Sequence, residues 1–216
     1  MNYMMFVLKM SMAIICAVAG ALGGNCWLEK LYLEKRDVLT FPHKISNQAK
    51  KRRQFLPPLL GMLFAFYLLS ENPLTPSVIF SLIYIYFLVL FTITDFEQQV
   101  IFDIMQLPFA LCGLAFCLFS GFPLLNHLTA ALGGGVIFLV LAILTRGGIG
   151  GGDIKLIAAL GLWLGTTALI DVVAFGFIAG GIAAFILMVF MHKKRTDKFA
   201  YGPYFTIAAL LQLFLK

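Results

Sequence analysis

Apolar residues form long runs along the chain, and short polar segments separate these runs. A membrane-spanning helix needs about 20 predominantly apolar residues, and most of the runs approach that length. The predicted spans are 5–28, 55–70, 74–94, 104–120, 128–145, 154–169, 171–191 and 199–215. Helices satisfy their backbone hydrogen bonds within one segment, as a bilayer requires. The pattern therefore predicts an all-α polytopic membrane helix bundle with about eight transmembrane helices.

Composition supports the membrane interpretation. Of the 216 residues, 61% are hydrophobic and 12% are charged, and the mean hydropathy is +0.96. Soluble domains carry roughly 25% charged residues, so a soluble fold would not bury this much apolar surface. In a soluble protein the net charge of +6 would suggest a nucleic-acid partner. Here we interpret it as a topology signal, and we expect membrane lipid and no nucleic acid around the chain.

Basic residues predict which side each polar segment faces. The longest polar segment, 29–54, is strongly basic and is expected to be a cytoplasmic loop, because cytoplasmic loops carry an excess of Lys and Arg. With eight spans, segments 28–53, 95–103, 146–155 and 192–198 then face the cytoplasm. These segments hold 8, 0, 2 and 4 basic residues, 14 of the 16 in the chain. Both termini are expected outside.

A glycine-rich stretch places an acidic residue between two apolar runs. Five of the six residues before Asp153 are glycine. A carboxylate at membrane depth is energetically costly and often marks a functional site. The glycines remove side-chain bulk, so another segment can approach Asp153 closely. The alternative is a flexible turn in which Asp153 caps a helix N-terminus.

A second acidic residue is expected at the same depth as Asp153. Asp95 follows the third predicted span, so a bundle can bring the two together. Two carboxylates a few ångströms apart do not comfortably both ionise, and such a pair shares one proton. One member can then activate water while the other protonates a carbonyl or leaving group. This pattern points to peptide hydrolysis of the aspartic type, although two solvated helix caps would give the same sequence.

Three blocks of the sequence resemble the type IV prepilin peptidases, which are polytopic aspartic proteases. Residues 150–156, GGGDIKL, resemble the G-x-G-D-x-K-L block of that family. Residues 95–103, DFEQQVIFD, resemble its D-x-x-x-x-x-I-P-D block, with Phe102 in place of the usual proline. Residues 201–204, YGPY, resemble its F-G-P-[FY] block. The resemblance covers about residues 75–210 and is of the G-x-G-D aspartic protease type.

The resemblance implies roles for individual residues. The catalytic pair would be Asp95 and Asp153, and Asp103 would hold an ancillary position. The motif blocks also supply the supporting residues Gly150, Gly152, Lys155, Gly202 and Pro203. Lys155 would steady the aspartate pair or a substrate carboxylate, or would simply be an interfacial cation. Glu97 would be solvated or would meet the basic leader of a substrate.

The resemblance further implies a substrate and a location. The substrates would be prepilins or pseudopilins, cut just before their hydrophobic helix near the cytoplasmic face of a bacterial inner membrane. The whole chain, 1–216, is expected to be one membrane-embedded peptidase domain, with 75–210 as its catalytic core. Family members with a long first cytoplasmic loop carry two C-x-x-C pairs there, which resemble a zinc site. Segment 29–54 has no cysteine, so we expect no metal, no cofactor and no N-methyltransferase activity.

Two other functions compete with this interpretation. Another G-x-G-D intramembrane protease, of the presenilin or signal-peptide-peptidase type, is disfavoured because the sequence has no Y-D partner motif and no P-A-L. A small proton-coupled membrane transporter would also place acidic residues within the bilayer. Cleavage of a prepilin peptide by the purified protein, as opposed to proton-coupled flux, separates these hypotheses.

Overall fold

The computed structural model describes residues 3–70, 75–146, 148–190 and 201–215, and most of these residues are helical. The helices are α1 (Tyr3–Glu34), α2 (Ile45–Ser70), α3 (Ser77–Gln98), α4 (Asp103–Phe119), α5 (Leu124–Leu144), α6 (Gly151–Phe190) and α7 (Gly202–Phe214). Two short 3₁₀ turns, Arg36–Val38 and Pro42–Lys44, lie between α1 and α2. No strand occurs within these ranges, and the all-α prediction is confirmed. The chain forms two compact units, Met1–Leu90 and Phe91–Lys216, which divide within α3.

Four of the described helices are long and apolar enough to cross a membrane. They are Tyr3–Glu34, Ser77–Gln98, Leu124–Leu144 and the Gly151–Ile186 part of α6. The helices α4 and α7 are apolar but shorter. These helices fit a multi-pass membrane protein, whereas the count of eight spans stays a prediction. The predicted starts of the third and eighth spans, at 74 and 199, lie outside the described residues, as does the end of the seventh at 191.

In the first unit, α1 and α2 pack through small side chains and then through polar ones. Ala13, Ala17 and Ala21 are fully or almost fully buried along one face of α1. A Cβ on Gly61 of α2 would lie 3.8 Å from the Cβ of Ala17. Small residues allow helix backbones to approach closely, which is how membrane helices gain packing energy.

The predicted basic loop 29–54 is not one irregular segment, because α1 continues to Glu34 and α2 already begins at Ile45. Its cytoplasmic position stays a prediction. Polar contacts between the two helices explain the difference. Arg53 donates from Nη2 to both carboxylate oxygens of Glu29, at 2.9 and 3.0 Å. Arg52 is buried, and its Nε donates to Asn25 Oδ1 at 3.0 Å. Lys and Arg also have higher helix propensities than most other residues. The basic segment is therefore helical at both ends, and it extends the contact between α1 and α2.

In the second unit, α6 packs closely against both α4 and α5. A Cβ on Gly161 would lie 2.5 Å from the backbone nitrogen of Ala131, so α5 and α6 touch through their backbones. Trp163 of α6 donates from Nε1 to the carbonyl of Phe109 on α4 at 2.9 Å. Its ring stacks on Phe109 and covers Gly113, where a Cβ would be only 2.6 Å away. These contacts hold α6, which carries Asp153, against α5 and against α4, which begins at Asp103.

The helix α6 is interrupted at Gly165, whose backbone is non-helical with φ 71° and ψ −178°. Positive φ favours glycine, and a Cβ here would also lie 2.7 Å from Asn126 Nδ2. Thr166 restarts the helix, and its hydroxyl donates to Asn126 Oδ1 at 2.6 Å. The expected separation of two helices is therefore present. The predicted spans 154–169 and 171–191 divide at residue 170, whereas the structure places the break at Gly165.

Candidate active site

Asp95 lies in the last turn of α3 and is buried, with 5% of its surface exposed. The helix closes just beyond it, where the Gln99 N–H donates to the Asp95 carbonyl at 2.9 Å. Gln99 itself adopts φ 54°, which turns the chain out of the helix into the buried residues Ile101 and Phe102. This turn places the backbone of Ile101 beside the site.

Asp153 lies in the first turn of α6, where the glycine stretch forms the helix start. The carbonyl of Gly150 accepts the N–H groups of Asp153 and Ile154, at 3.0 and 3.3 Å. The Gly150 N–H in turn donates to the Asp153 carboxylate. The bond from the Gly150 N–H is one half of a capping box, whose other half needs an N-cap side chain that glycine lacks. It fixes the carboxylate at the helix N-terminus, so the predicted cap is present, as the sequence alternative had it.

Gly152 allows α6 to approach the segment after α3. A Cβ on Gly152 would lie 3.3 Å from the Cβ and 3.4 Å from the carbonyl oxygen of Ile101. The Gly152 carbonyl accepts a hydrogen bond at 2.9 Å from Nε2 of Gln106, a buried residue of α4. The motif glycine is therefore a packing position, and Gln106 ties α4 to the start of α6.

Gly202, at the start of α7, lies against both carboxylates. Its N–H donates to the Asp95 carboxylate. A Cβ on Gly202 would lie 2.5 Å from Asp95 Oδ2 and 3.1 Å from Asp153 Oδ1. The two carboxylate oxygens are therefore separated by no more than the sum of these distances. Three helices, α3, α6 and α7, converge on one point, and Pro203 follows Gly202 in the first turn of α7, where proline suits a helix start.

The two carboxylates differ in their surroundings. Asp95 is the more buried, and its Oδ2 has no hydrogen-bond partner within the described ranges. Asp153 is half-buried. Carboxylates at this separation repel each other when both are ionised, so a shared proton is the favoured state. Such a pair can accept a proton at one oxygen and donate one from another.

Two hydroxyl groups, each about one helical turn from the site, join α7 to α3. Thr92 Oγ1 and Thr206 Oγ1 lie 2.6 Å apart. Thr206 is fully buried, and its hydroxyl donates to the carbonyls of Pro203 and Gly202, at 3.0 and 3.2 Å. Thr92 precedes Asp95 by one helical turn, and Gly202 precedes Thr206 by one turn. The pair therefore fixes the position of α7 along α3, and with it the contact of Gly202 with Asp95.

We expect Thr206→Val to lower the free energy of unfolding by about 1 kcal/mol, because valine keeps the shape of threonine but cannot hydrogen-bond. The measurement is denaturant unfolding of the purified protein in micelles. Thr92→Val serves as the second arm of a double-mutant cycle. If the double variant loses the full sum of the two single losses, the hydroxyls do not interact.

Asp103 and Lys155 form a separate pair. Lys155 Nζ lies 2.6 Å from Asp103 Oδ2, and both side chains are more than half exposed. Exposed ion pairs contribute little stability. The described contact of Lys155 is thus with Asp103, which favours an interfacial position over the predicted contact with the aspartate pair. Glu97 is half-buried near the end of α3.

Sequence reasoning missed Gln106, Thr92 and Thr206. Gln106 could have been singled out from the sequence, since it is an amide inside an otherwise apolar helix. The threonines carried none, because a threonine within an apolar helix satisfies its own hydroxyl by bonding the preceding turn. Among the residues that the structure describes, no group of three or more His, Cys, Asp or Glu side chains is arranged to hold a metal ion.

Comparisons with known proteins match part of the chain, and the family match contains Asp95 and Asp153 but not Gly202. A family model described as the type IV leader peptidase family matches residues 82–185. A protein of Neisseria gonorrhoeae named prepilin leader peptidase/N-methyltransferase is 37% identical over 128 residues, which cover 56% of this chain and 43% of that protein. A protein of the same name from Aeromonas salmonicida (strain A449) is 32% identical over 139 residues, 62% of this chain and 48% of that protein.

A third relative aligns over a larger share of both chains. It is the protein of the same name from Escherichia coli (strain K12), which is 27% identical over 190 residues, 84% of each chain. The present chain thus spans about half the length of the first two relatives and most of the third. No solved structure matches the chain.

Proposed function

We propose that the chain is a member of the type IV leader peptidase family, whose model matches residues 82–185, and that it is a membrane aspartic endopeptidase. Its substrates are type IV prepilins or pseudopilins, from which it removes the basic leader peptide. The observation that carries the mechanism is the position of Gly202, where a Cβ would contact oxygens of both Asp95 and Asp153. Two carboxylates so close form a unit that holds and exchanges one proton.

In the proposed reaction, the ionised member of the pair accepts a proton from a water molecule, which attacks the scissile carbonyl carbon. The protonated member donates its proton to the carbonyl oxygen, and a tetrahedral intermediate forms. Collapse of the intermediate breaks the C–N bond, and the new amine takes up the proton that the first carboxylate had accepted. One hydroxyl of the intermediate returns its proton to the second carboxylate as the product carboxylic acid forms, so the pair again holds one proton. The N–H groups of Gly150 and Gly202 hold the carboxylates in place during these transfers.

The direct test is incubation of the purified protein with a prepilin peptide that contains the leader and the start of the hydrophobic helix. Cleavage at the leader junction supports the proposal. Proton-coupled solute flux in vesicles, with the peptide left intact, would favour the transporter hypothesis instead.

We predict that cleavage requires neither a metal ion nor S-adenosylmethionine and that the product is unmethylated. The prediction rests on the absence of cysteine from 29–54. The measurement is mass spectrometry of the cleaved substrate, after treatment of the enzyme with a chelator and with or without S-adenosylmethionine. Activity lost to the chelator, or a product heavier by one methyl group, would contradict the prediction.

The proposed active site lies at the cytoplasmic face, where a basic leader remains after synthesis. The sidedness of the site is best tested at the two ends of α5, because this 21-residue helix is about 31 Å long and so matches the hydrocarbon core. Single cysteines replace Leu125 and Arg146, both exposed and at opposite ends of α5, in a background without the four native cysteines. In intact cells an impermeant thiol reagent should label position 125 and spare position 146.

A cysteine at Ser46 should also be protected from the impermeant reagent. A membrane-permeant reagent is the control, and it should label all three positions. Gln98 is fully buried, so a cysteine there would report burial and not sidedness. Labelling of position 146 with protection of position 125 would invert the topology and remove the route of the leader to the aspartates.

A further inference from the structure

A cavity of about 770 Å³ lies in the first unit, between the end of α1, the two 3₁₀ turns and the start of α2. Its charged lining consists of Glu29, Arg36, His43, Lys50 and Arg53. None of these residues belongs to the proposed peptidase site. We propose that this cavity binds the phosphate-bearing headgroup of an anionic phospholipid.

The charges favour an anion. Three permanent cations line the cavity against one carboxylate, and that carboxylate, on Glu29, is held by two hydrogen bonds from Arg53. The remaining cations, Arg36 and Lys50, come from different elements, the first 3₁₀ turn and α2. Arg and Lys so arranged bind phosphate through charge-assisted hydrogen bonds.

The helix direction adds to this preference. The first turn of α2 also lines the cavity, through Ile45 and Ser46. The N-terminus of a helix carries partial positive charge, and its first N–H groups have no partner within the helix. The 26-residue α2 therefore directs its positive end toward the same space as the cations, with the Ser46 hydroxyl as a further donor.

The apolar surroundings distinguish a lipid from a soluble anion. Leu33 lines the cavity and is 64% exposed. The cavity lies at the end of α1, a helix long and apolar enough to cross a membrane. A phosphate in this cavity thus has an exposed apolar side chain beside it, where acyl chains can pack. Basic pockets at membrane helices recognise anionic headgroups in this way.

The test uses the full-length protein in nanodiscs of pure phosphatidylcholine or of phosphatidylcholine with an equal amount of phosphatidylglycerol. We expect phosphatidylglycerol to raise the unfolding temperature of the wild type and to remain bound in native mass spectra. Lys50→Gln should weaken phosphatidylglycerol binding by at least ~5-fold. The matched control is Lys51→Gln, which removes the same charge from the next, exposed residue, outside the cavity lining, and should bind as the wild type does.

Three results would overturn the proposal. Equal losses in Lys50→Gln and Lys51→Gln would mean general attraction to an anionic surface. Equal stability in the two lipid compositions would mean that no anionic headgroup is bound. Stabilisation by inorganic phosphate in pure phosphatidylcholine, equal to that by phosphatidylglycerol, would assign the cavity to a soluble phosphate. Lys50→Arg keeps the charge and should restore binding, so a folding defect of Lys50→Gln is distinguishable from loss of the site.

Discussion

Replacement of Asp153 by asparagine should abolish cleavage of a prepilin peptide, with a loss of at least ~100-fold in rate. Asparagine has nearly the shape of aspartate and can accept the Gly150 N–H through its amide oxygen, so the start of α6 should be retained. Its amide cannot exchange a proton with water or substrate, however. The measurement is the cleavage rate of purified protein at matched levels of membrane insertion.

Asp95→Asn should have the same effect, because each carboxylate needs the other for the shared proton. The matched control is Asp103→Asn, which removes a carboxylate of the same type from the same segment of the sequence. Asp103 is exposed and pairs with Lys155, so this variant should keep at least part of the activity. A well-inserted Asp153→Asn protein that processes substrate at the wild-type rate would refute the proposed mechanism.

The second large effect is expected from Gly202→Ala, which adds a single methyl group. That carbon would lie 2.5 Å from Asp95 Oδ2 and 3.1 Å from Asp153 Oδ1, closer than van der Waals contact allows. The carboxylates or α7 must therefore shift. A displacement of about 1 Å can reduce an enzymatic rate ~100-fold, and we expect a loss of that order in the cleavage rate.

Gly151→Ala is the control for this prediction. Gly151 is exposed at the start of α6, and an added Cβ there would have no atom within 4 Å among the described residues. Both variants replace a glycine in a motif block by alanine, so only the steric surroundings differ. Equal activities of Gly202→Ala and Gly151→Ala would show that the contact at Gly202 does not position the pair.

The sequence predicted that the two aspartates lie close together. Asp95 follows one apolar run and Asp153 precedes another, and both positions are expected at the same depth in the membrane. Helix ends at one depth can meet in a bundle, whatever the details of packing. The importance of Gly202 could be predicted only from the F-G-P-[FY] block of the family, because a glycine at the end of a polar segment is common in any sequence. The catalytic roles of Asp95 and Asp153 remain predictions until the variants are measured.

Other features depend on contacts that a linear pattern does not contain. The helical start of α2 was missed because charge marked 29–54 as a loop, although Arg52 and Arg53 both pair with residues of α1. The contact between Thr92 and Thr206 joins residues 114 positions apart. Only the packing of α7 on α3 brings these hydroxyls together, and nothing in either helix indicates the other.

The break at Gly165 affects how this protein can be engineered. A straight helix of the 40 residues in α6 would be about 60 Å long, twice the hydrocarbon thickness of a bilayer. One glycine, held by Asn126 and Thr166, divides it without a polar connection. Epitope tags and fusion partners are usually placed in exposed loops, and a break between two helices suggests such a place. An insertion there would instead separate Thr166 from Asn126 and disrupt the packing of α5 on α6.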